Sequence, residues 1–528
     1  MSDKNTRVRN SVVNSITSIV SNILIIVMGF VAQTIFIKVL GTEYLGINGL
    51  FTNIVSMLAI VELGIGPAII YSLYKPLVED DEVKIKSLLK FYKKCYSIIA
   101  LAIFILGLCV LPFLKYFVKT SVISSKFGIY GIFFLFILDA VFSYICSYKR
   151  SILQADQKSH YINIIHSVMY LVMNGLQILF LLTTKNYVVY LIIKILSRFI
   201  ENIIITNVAN KKYPYIKDKD AQDLSDEDKG SIFKRVKGLI FHKVGGYIVL
   251  GTDNILISKL VGIVQVGLYS NYYMIINSVA TLISQIFTSI TASVGNLLVK
   301  ESEEKSYNIF KRIMFLNFWI YGFASTAMYV MMEPFITFWL GSEYLLPRAV
   351  LVILVINFYM TGMRASIGVY KEAAGIYYED RFIPIIESTI NIVVSIVLGK
   401  IYGLTGIFIG TMVSSFVVVF FSLPYFVYTK VFKKNITQYY KVYFKYAIIT
   451  LISVALTSYL FNSVYISAGL NNKFVILLVA IIASIMIPNL MYIILFAKTE
   501  EFKYFVGLIK KFWLKITKRE DVHEENNG

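Results

Sequence analysis

The chain is poor in charge and in cysteine. Of its 528 residues, 16% are charged and 57% are hydrophobic, against about 25% and roughly 45–50% in ordinary soluble domains. This composition excludes a soluble enzyme. The three cysteines, Cys95, Cys109 and Cys146, lie in or beside apolar segments and offer neither a disulfide framework nor paired metal-ligand spacing. The sequence also lacks a Walker-type glycine-rich motif, which excludes direct use of ATP by this chain.

Apolar runs of about 20 residues recur along the whole chain, and each can cross a hydrocarbon core of about 30 Å as a helix. The sequence therefore predicts an all-α polytopic membrane protein. We place fourteen spans near residues 12–37, 46–73, 95–114, 127–148, 161–183, 187–208, 241–258, 266–298, 313–333, 347–370, 382–399, 404–428, 446–463 and 474–497. The first run lacks a small-residue cleavage site, so we expect a retained span rather than a signal peptide.

The distribution of basic residues predicts the orientation of these spans. Of the 51 lysines and arginines, 39 lie at the termini and in every second connection, nine lie in the other connections, and Lys194, Arg198 and Arg364 lie within spans. Because basic residues concentrate in cytoplasmic connections, both termini are predicted to be cytoplasmic. The net charge of +19 is thus explained by topology, and nucleic-acid binding is not expected.

A short internal repeat divides the predicted spans into two lobes. A Lys-x-x-Gly pattern with a further glycine five residues later follows span 1 and recurs after span 7 at a constant offset of 221 residues: Lys38, Gly41 and Gly46, then Lys259, Gly262 and Gly267. Such turns also arise by chance. If the repeat is real, six spans separate its copies, and the two lobes insert with the same orientation, as in many transporters.

The domain prediction follows from this repeat. We expect an N-lobe at 1–210, a cytoplasmic connection at 211–240, a C-lobe at 241–428, spans 13 and 14 at 429–497, and a basic amphipathic tail with a disordered end at 498–528. Within the connection, Ser225 and Asp228 form a capping pattern ahead of an amphipathic stretch, which predicts an interfacial helix.

Three short segments carry a resemblance to a known family. Residues 40–46 read LGTEYLG, residues 62–67 read ELGIGP, and residues 340–344 read LGSEY. With the length and layout of the chain, these segments resemble the polysaccharide flippases of the multidrug, oligosaccharidyl-lipid and polysaccharide exporter superfamily. The resemblance implies two six-helix bundles in parallel pseudo-repeat plus two C-terminal helices. It also implies movement of undecaprenyl-diphosphate-linked oligosaccharides across the bacterial cytoplasmic membrane for capsule or other surface glycan, with a glycan polymerase and assembly proteins as partners.

Three cations within spans are the candidate substrate-binding residues. Ionisable groups inside a membrane are costly and mark functional interiors. Arg198 lies midway along span 6, whereas Lys194 and Arg364 lie nearer the ends of their spans. A guanidinium presents forked donors that suit a lipid diphosphate, so Arg198 is the foremost candidate. The structural alternative is an internal ion pair between Arg198 and Glu201, which share one helical stripe with Lys194.

Three acids lie deep in spans, namely Glu62, Asp139 and Asp253. Burial favours a neutral carboxyl group, so these acids are candidates for proton or sodium coupling, although they could equally be plain partners of arginine or backbone. The glycines and the proline of residues 64–67 predict a helix break beside Glu62 and favour a gate or an ion site there.

Span 8 has a polar face that includes the candidate sugar-binding residues Asn277, Thr281 and Gln285. Span 1 has a similar face, made by Ser11, Ser15, Ser18 and Asn22. Such rows can pack helices together or line a water-filled space. Their occurrence in equivalent spans of the two lobes favours a shared hydrophilic cavity.

Three alternatives to a flippase remain. A cation-coupled multidrug exporter of the same superfamily would favour an acidic pocket, and the basic candidates weigh against it. A membrane-embedded glycan-assembly enzyme would be expected to carry a large external loop, which is missing here, and a scaffold has no feature in its favour. We therefore expect a transporter rather than an enzyme, with no metal or cofactor beyond a coupling proton or sodium ion.

Overall fold

The computed structural model of the chain describes residues 2–62, 64–118, 128–145, 147–217 and 220–511. Within these ranges the regular structure is helical throughout, without a strand. The α-helices are α1 Ser2–Leu40, α2 Thr42–Leu58, α3 Ile65–Val78, α4 Glu82–Val110, α5 Leu114–Phe117, α6 Gly128–Tyr144, α7 Arg150–Ala155, α8 Ser159–Thr184, α9 Tyr187–Lys212, α10 Asp226–Leu260, α11 Ile263–Lys300, α12 Glu303–Trp339, α13 Arg348–Met363, α14 Ala365–Ala373, α15 Ile383–Ser414, α16 Phe420–Val427, α17 Thr437–Ser467 and α18 Lys473–Phe496. A last helix covers residues 500–511.

The predicted class, an all-α polytopic membrane protein, is confirmed. Nine helical segments among the described residues are long and apolar enough to cross a membrane. The count of fourteen spans is approximate, because some predicted spans are broken or carry charge. Predicted span 2 is divided into α2, a 3-10 turn at Ala59–Glu62 and α3. The helix α9 carries Lys194, Arg198 and Glu201 along its length.

The chain forms two compact units that do not follow one another in sequence. The first unit comprises residues 1–278 and 377–419, and the second comprises residues 279–376 and 420–528. The lobes at 1–210 and 241–428 follow the sequence repeat and stay a prediction.

In the first unit, α1 packs on α8, α8 on α9, α4 on α6, and α10 on α15. One of its apolar cores lies between α3 and α4, where Ile69, Leu73, Leu88 and Ile103 are buried. In the second unit, α12 packs against α13, α17 and α18. There the ring of Phe318 stacks on Tyr446 of α17 with centroids 4.2 Å apart.

The two copies of the repeated glycine pattern meet within the first unit. Gly41 and Gly262, which precede α2 and α11, both have positive φ angles, of 87° and 138°. A Cβ atom on Gly46 would lie 2.1 Å from the carbonyl oxygen of Ile263, and a Cβ atom on Gly267 would lie 2.1 Å from that of Thr42. The starts of α2 and α11 thus touch backbone to backbone in a reciprocal contact that only glycine permits.

The connection between the predicted lobes continues into predicted span 7, and its interfacial position stays a prediction. Ser225 caps α10 by accepting a hydrogen bond from the amide of Asp228 at 3.2 Å, as its sequence pattern predicts. However, α10 runs without interruption from Asp226 to Leu260, so the amphipathic stretch and span 7 are one helix. Ile232 and Val236 are buried in the core of the first unit, whereas Phe233 is 47% exposed.

Ion pairs join α4 to the start of α10 and to the residues just before it. Lys84 pairs with Asp228, and Lys90 lies 2.9 Å from Asp223. The hydrogen bond from Lys84, together with that from Ser225, lowers the pKa of the Asp228 carboxyl. Lys84 and Lys90 of α4 therefore hold the connection in place through its acidic residues.

The predicted amphipathic tail packs partly on protein. In the helix at 500–511, Phe502 stacks on Trp319 and Phe505 stacks on Phe315, with centroids 5.7 Å and 6.3 Å apart. Its lysines, Lys503, Lys510 and Lys511, are exposed. The expected disordered end lies outside the described residues.

Candidate functional site: charged clusters within the first unit

Asp139 of α6 is held between two cations of α9. The Nε atom of Arg198 donates to its Oδ1 at 2.7 Å, and the Nζ atom of Lys194 lies 3.1 Å from its Oδ2. The Asp139 side chain is 13% exposed. The charges of the two cations offset the cost of burying this carboxyl group. With one acid and two cations, the cluster carries one net positive charge.

Arg198 bonds Asp139 through Nε alone. Its side chain is 41% exposed. Within the described part of the chain, its two terminal nitrogens have no hydrogen-bond partner. These nitrogens are the forked donors that bind carboxylate or phosphate oxygens in pairs. Asp139 therefore fixes the orientation of the guanidinium and leaves its anion-binding end open.

Glu201 belongs to a different cluster, so the predicted alternative of an Arg198–Glu201 pair is wrong. The Nη2 atom of Arg150 donates to Glu201 Oε1 at 2.7 Å and to Asn202 Oδ1 at 2.8 Å. The Nδ1 atom of His166 lies 3.2 Å from the same Glu201 oxygen. Glu201 therefore contacts side chains of α7 and α8, whereas Arg198 contacts Asp139 of α6.

Arg150 is a residue that sequence reasoning missed, because it lies in a short basic break and counts there as a cytoplasmic loop charge. It is the first residue of α7, a helix of six residues. Only its position next to the end of a span could have suggested that it reaches a carboxylate inside the unit.

Glu62 lies in a cage of tyrosine hydroxyl groups. Tyr96 donates to its Oε1 at 2.6 Å, and Tyr144 donates to its Oε2 at 2.9 Å. Tyr92 in turn donates to the Tyr96 hydroxyl at 2.6 Å. The predicted helix break is present beside this carboxyl group: Gly64 is left-handed, with a φ of 83°, and α3 begins at the next residue.

Asp253 lies on α10 and contrasts with Glu62 in its surroundings. Its Oδ1 atom is buried and has no hydrogen-bond partner among the described residues. Tyr269 and Tyr273 of α11 lie within electrostatic range of the carboxyl group. An unpartnered oxygen in a low-dielectric site is costly, and a bound proton or cation would relieve that cost.

The remaining candidates are divided between the units. Arg364 lies in the second unit, at the junction of α13 and α14. Of the polar stripe on α11, Asn277 belongs to the first unit, whereas Thr281 and Gln285 belong to the second. Neither Asn277 nor Gln285 makes a side-chain hydrogen bond to another described residue. The side chains of Ser11 and Ser15 lie outside the described residues.

Solved structures show which fold this is. The lipid II flippase MurJ in an inward closed conformation aligns with a TM-score of 0.62 at 15% identity, over 92% of this chain and 99% of that one. An inward-facing multidrug resistance MATE transporter of the MOP superfamily aligns at 0.56 and 14%, over 76% and 96%. The Vibrio cholerae MATE transporter VcmN in its bent form aligns at 0.55 and 13%, over 82% and 98%.

Sequence comparison gives the family. No curated protein sequence matches the chain, but residues 11–294 match the family described as "Polysaccharide biosynthesis protein". The matched part contains the Asp139, Glu201, Glu62 and Asp253 sites. The expectation of a transporter rather than an enzyme agrees with this family and with the structures of similar fold. The chain belongs to the polysaccharide biosynthesis protein family and is a multi-pass membrane protein whose fold is shared with the lipid II flippase MurJ and with MATE transporters.

Proposed function

We propose that the protein is a flippase that moves undecaprenyl-diphosphate-linked oligosaccharide repeat units across the bacterial cytoplasmic membrane, with both termini on the cytoplasmic side. The family and the fold shared with a lipid II flippase support this function. The observation that carries the proposal is the guanidinium of Arg198, fixed through Nε by Asp139 with both terminal nitrogens open.

In this proposal, Arg198 contacts the lipid diphosphate through its fork, and Lys194 adds positive charge beside it. Asp139 acts as a positioning residue rather than in coupling, because two cations already occupy its oxygens. Planar, charge-assisted pairs of this kind are stronger than neutral hydrogen bonds. Since Asp139 and Glu201 are both paired with cations, they offer little to a small cationic drug, which disfavours a multidrug exporter.

The sugars require polar contacts rather than charge. We assign this role to Asn277, Thr281 and Gln285 on α11, with Arg364 adding positive potential in the second unit. Alternating access would then expose these groups to one side of the membrane at a time. Capsule or another surface glycan is the proposed end product, with a glycan polymerase and assembly proteins acting downstream.

The test is export by single-residue variants in cells. Deletion of the gene should remove surface glycan and accumulate lipid-linked repeat units inside. Arg198→Ala should reproduce the deletion, and Arg198→Lys, which keeps the charge without the fork, should restore export only in part. Lys211→Ala, at the exposed end of the same helix, is the matched control and should export normally. Full-rate export by Arg198→Ala at normal abundance would leave the residue a structural role only.

Coupling to an ion gradient is the second part of the proposal. An ion drives transport only if its affinity differs between inward-facing and outward-facing states. Glu62 ends the 3-10 turn that starts at Ala59, just before the left-handed Gly64, and Asp253 has a buried oxygen without a partner among the described residues. We assign to both acids the binding of a proton or a sodium ion during the cycle.

Purified protein in liposomes tests this assignment. Glu62→Gln and Asp253→Asn should each retain substrate binding while flipping no longer responds to a proton or sodium gradient. Glu79→Gln, which changes an exposed glutamate at the end of α3, should behave like the parent protein. If both buried variants keep gradient-dependent flipping, the two acids serve helix packing alone.

A further inference from the structure

The second unit contains a cavity that the proposed flipping route does not use. It has a volume of about 300 Å³. It lies where α12 and α17 end and where α13 and α18 begin, and α17 and α18 supply six of its thirteen lining residues. The lining comprises Tyr329, Val330, Glu333, Pro334, Thr337, Leu345, Arg348, Ser458, Phe461, Asn462, Tyr465, Lys473 and Ile476.

The lining combines aromatic rings with charged groups. Tyr329, Phe461 and Tyr465 provide the rings, and Arg348 and Lys473 provide two cations. The Arg348 guanidinium lies 5.6 Å from the centroid of the Tyr329 ring. Its Nη2 atom donates to the Tyr329 hydroxyl at 3.3 Å. The aromatic wall therefore orients one of the two cations at the cavity.

The cavity is also lined by one acidic and two neutral polar side chains. Glu333 supplies one carboxylate, and Ser458 and Asn462 supply neutral donors and acceptors. Two cations against one acid leave a net positive charge. Sugar rings present C–H faces and hydroxyl edges at once, so aromatic rings beside hydroxyl-binding groups suit a sugar, and the net positive charge suits an acidic one.

We propose that this cavity binds one acidic sugar residue, of the hexuronate class, within the exported glycan. The ring would lie against the aromatic side chains, its carboxylate would meet Arg348 and Lys473, and its hydroxyl groups would bond Glu333 and Asn462. A volume of 300 Å³ is at the lower end of the range of about 300–1,000 Å³ for small-ligand sites. That size suits a single sugar ring rather than a lipid chain.

The charge pattern of the sequence places this cavity on the side where the glycan emerges. Arg348 and Lys473 lie in two of the connections that are poor in basic residues, which the positive-inside rule assigns to the outside. The inference rests on the proposed flippase function: the cavity would hold a sugar of the repeat unit after flipping and before its release. A glycerophosphate headgroup fits less well, because it brings no ring for the aromatic wall.

Binding is measured on the full-length protein in nanodiscs by saturation-transfer NMR, with glucuronate, galacturonate, glucose and glycerol 3-phosphate as probes. Transfer to the two hexuronates should exceed transfer to glucose. The double variant Arg348→Gln/Lys473→Gln should weaken hexuronate binding at least tenfold, and Phe461→Ala should weaken all sugars. Lys400→Gln changes an exposed lysine in another outside connection and should leave binding unchanged.

The outcomes separate this inference from the proposed function. If cells with the double variant still export glycan and the purified parent protein shows no preference for hexuronates, the flippase stands and the sugar site is refuted. Stronger transfer to glycerol 3-phosphate than to hexuronate would make the cavity a phospholipid headgroup site and refute the sugar assignment as well. Hexuronate binding by the parent protein that is lost in the double variant would support the site. If deletion of the gene leaves surface glycan unchanged, the flippase is refuted, and the site stands as a sugar site without its proposed role in export.

Discussion

The reciprocal contact between Gly46 and Gly267 predicts a large effect from the smallest substitution. A Cβ atom on Gly46 would lie 2.1 Å from the carbonyl oxygen of Ile263, whereas Cβ atoms are essentially never found within 3.0 Å of such atoms. In Gly46→Ala, the starts of α2 and α11 must therefore separate by at least about 0.9 Å. Both sides of the contact are backbone, so rotation of a side chain cannot relieve it.

The magnitude follows from the cost of overpacking, which is typically about 1–3 kcal/mol. The matched control is Gly175→Ala, in the interior of α8, where nothing lies within 4 Å of the added atom. That change should be neutral or stabilising by up to about 1 kcal/mol, because alanine favours helix over glycine. Gly46→Ala should therefore unfold at a clearly lower temperature than Gly175→Ala when both are measured in one detergent.

Reciprocity gives a second test of the same contact. Gly267→Ala should cost about as much as Gly46→Ala, because its Cβ would meet Thr42 at the same distance of 2.1 Å. Once one substitution has separated the two helix starts, the second should cost less than it does alone, so the double variant should be less destabilised than the sum. Single variants as stable as Gly175→Ala would refute the close approach on which the reasoning depends.

Three further predictions concern buried and exposed charge. Tyr96→Phe removes a hydroxyl donor from a caged carboxylate and should cost roughly 1.5–3 kcal/mol of stability, measured by thermal unfolding. Arg150→Ala leaves Glu201 buried without its cation and should cost about 3–5 kcal/mol, with stability recovered when Glu201→Gln is added. The pair of Lys84 and Asp228 is partly exposed and should contribute less than about 1 kcal/mol. Because the hydrogen bond from Lys84 lowers the pKa of Asp228, that contribution should be present above pH of about 4 and vanish as pH falls through the lowered pKa, as Asp228→Asn compared with the parent protein would show.

The features that could be predicted from the sequence are those set by local composition. Apolar length predicts the membrane-spanning class. The glycines after Glu62 predict the helix break that the structure contains. The serine at position 225 predicts a helix cap, because its hydroxyl can accept from an amide three residues on. Each of these depends on a few neighbouring residues and needs no knowledge of tertiary contacts.

The pairing of charges could not be predicted, because it depends on how helices rotate against each other. Arg198 and Glu201 are three residues apart on one helix, a spacing that permits an ion pair. The structure instead directs Arg198 to Asp139 of α6 and Glu201 to Arg150 of α7. Sequence spacing thus identifies charges that share a stripe of one helix but not which carboxylate neutralises which cation. That distinction decides the chemistry, since an arginine bound through Nε keeps its anion-binding fork, whereas one engaged through its terminal nitrogens does not.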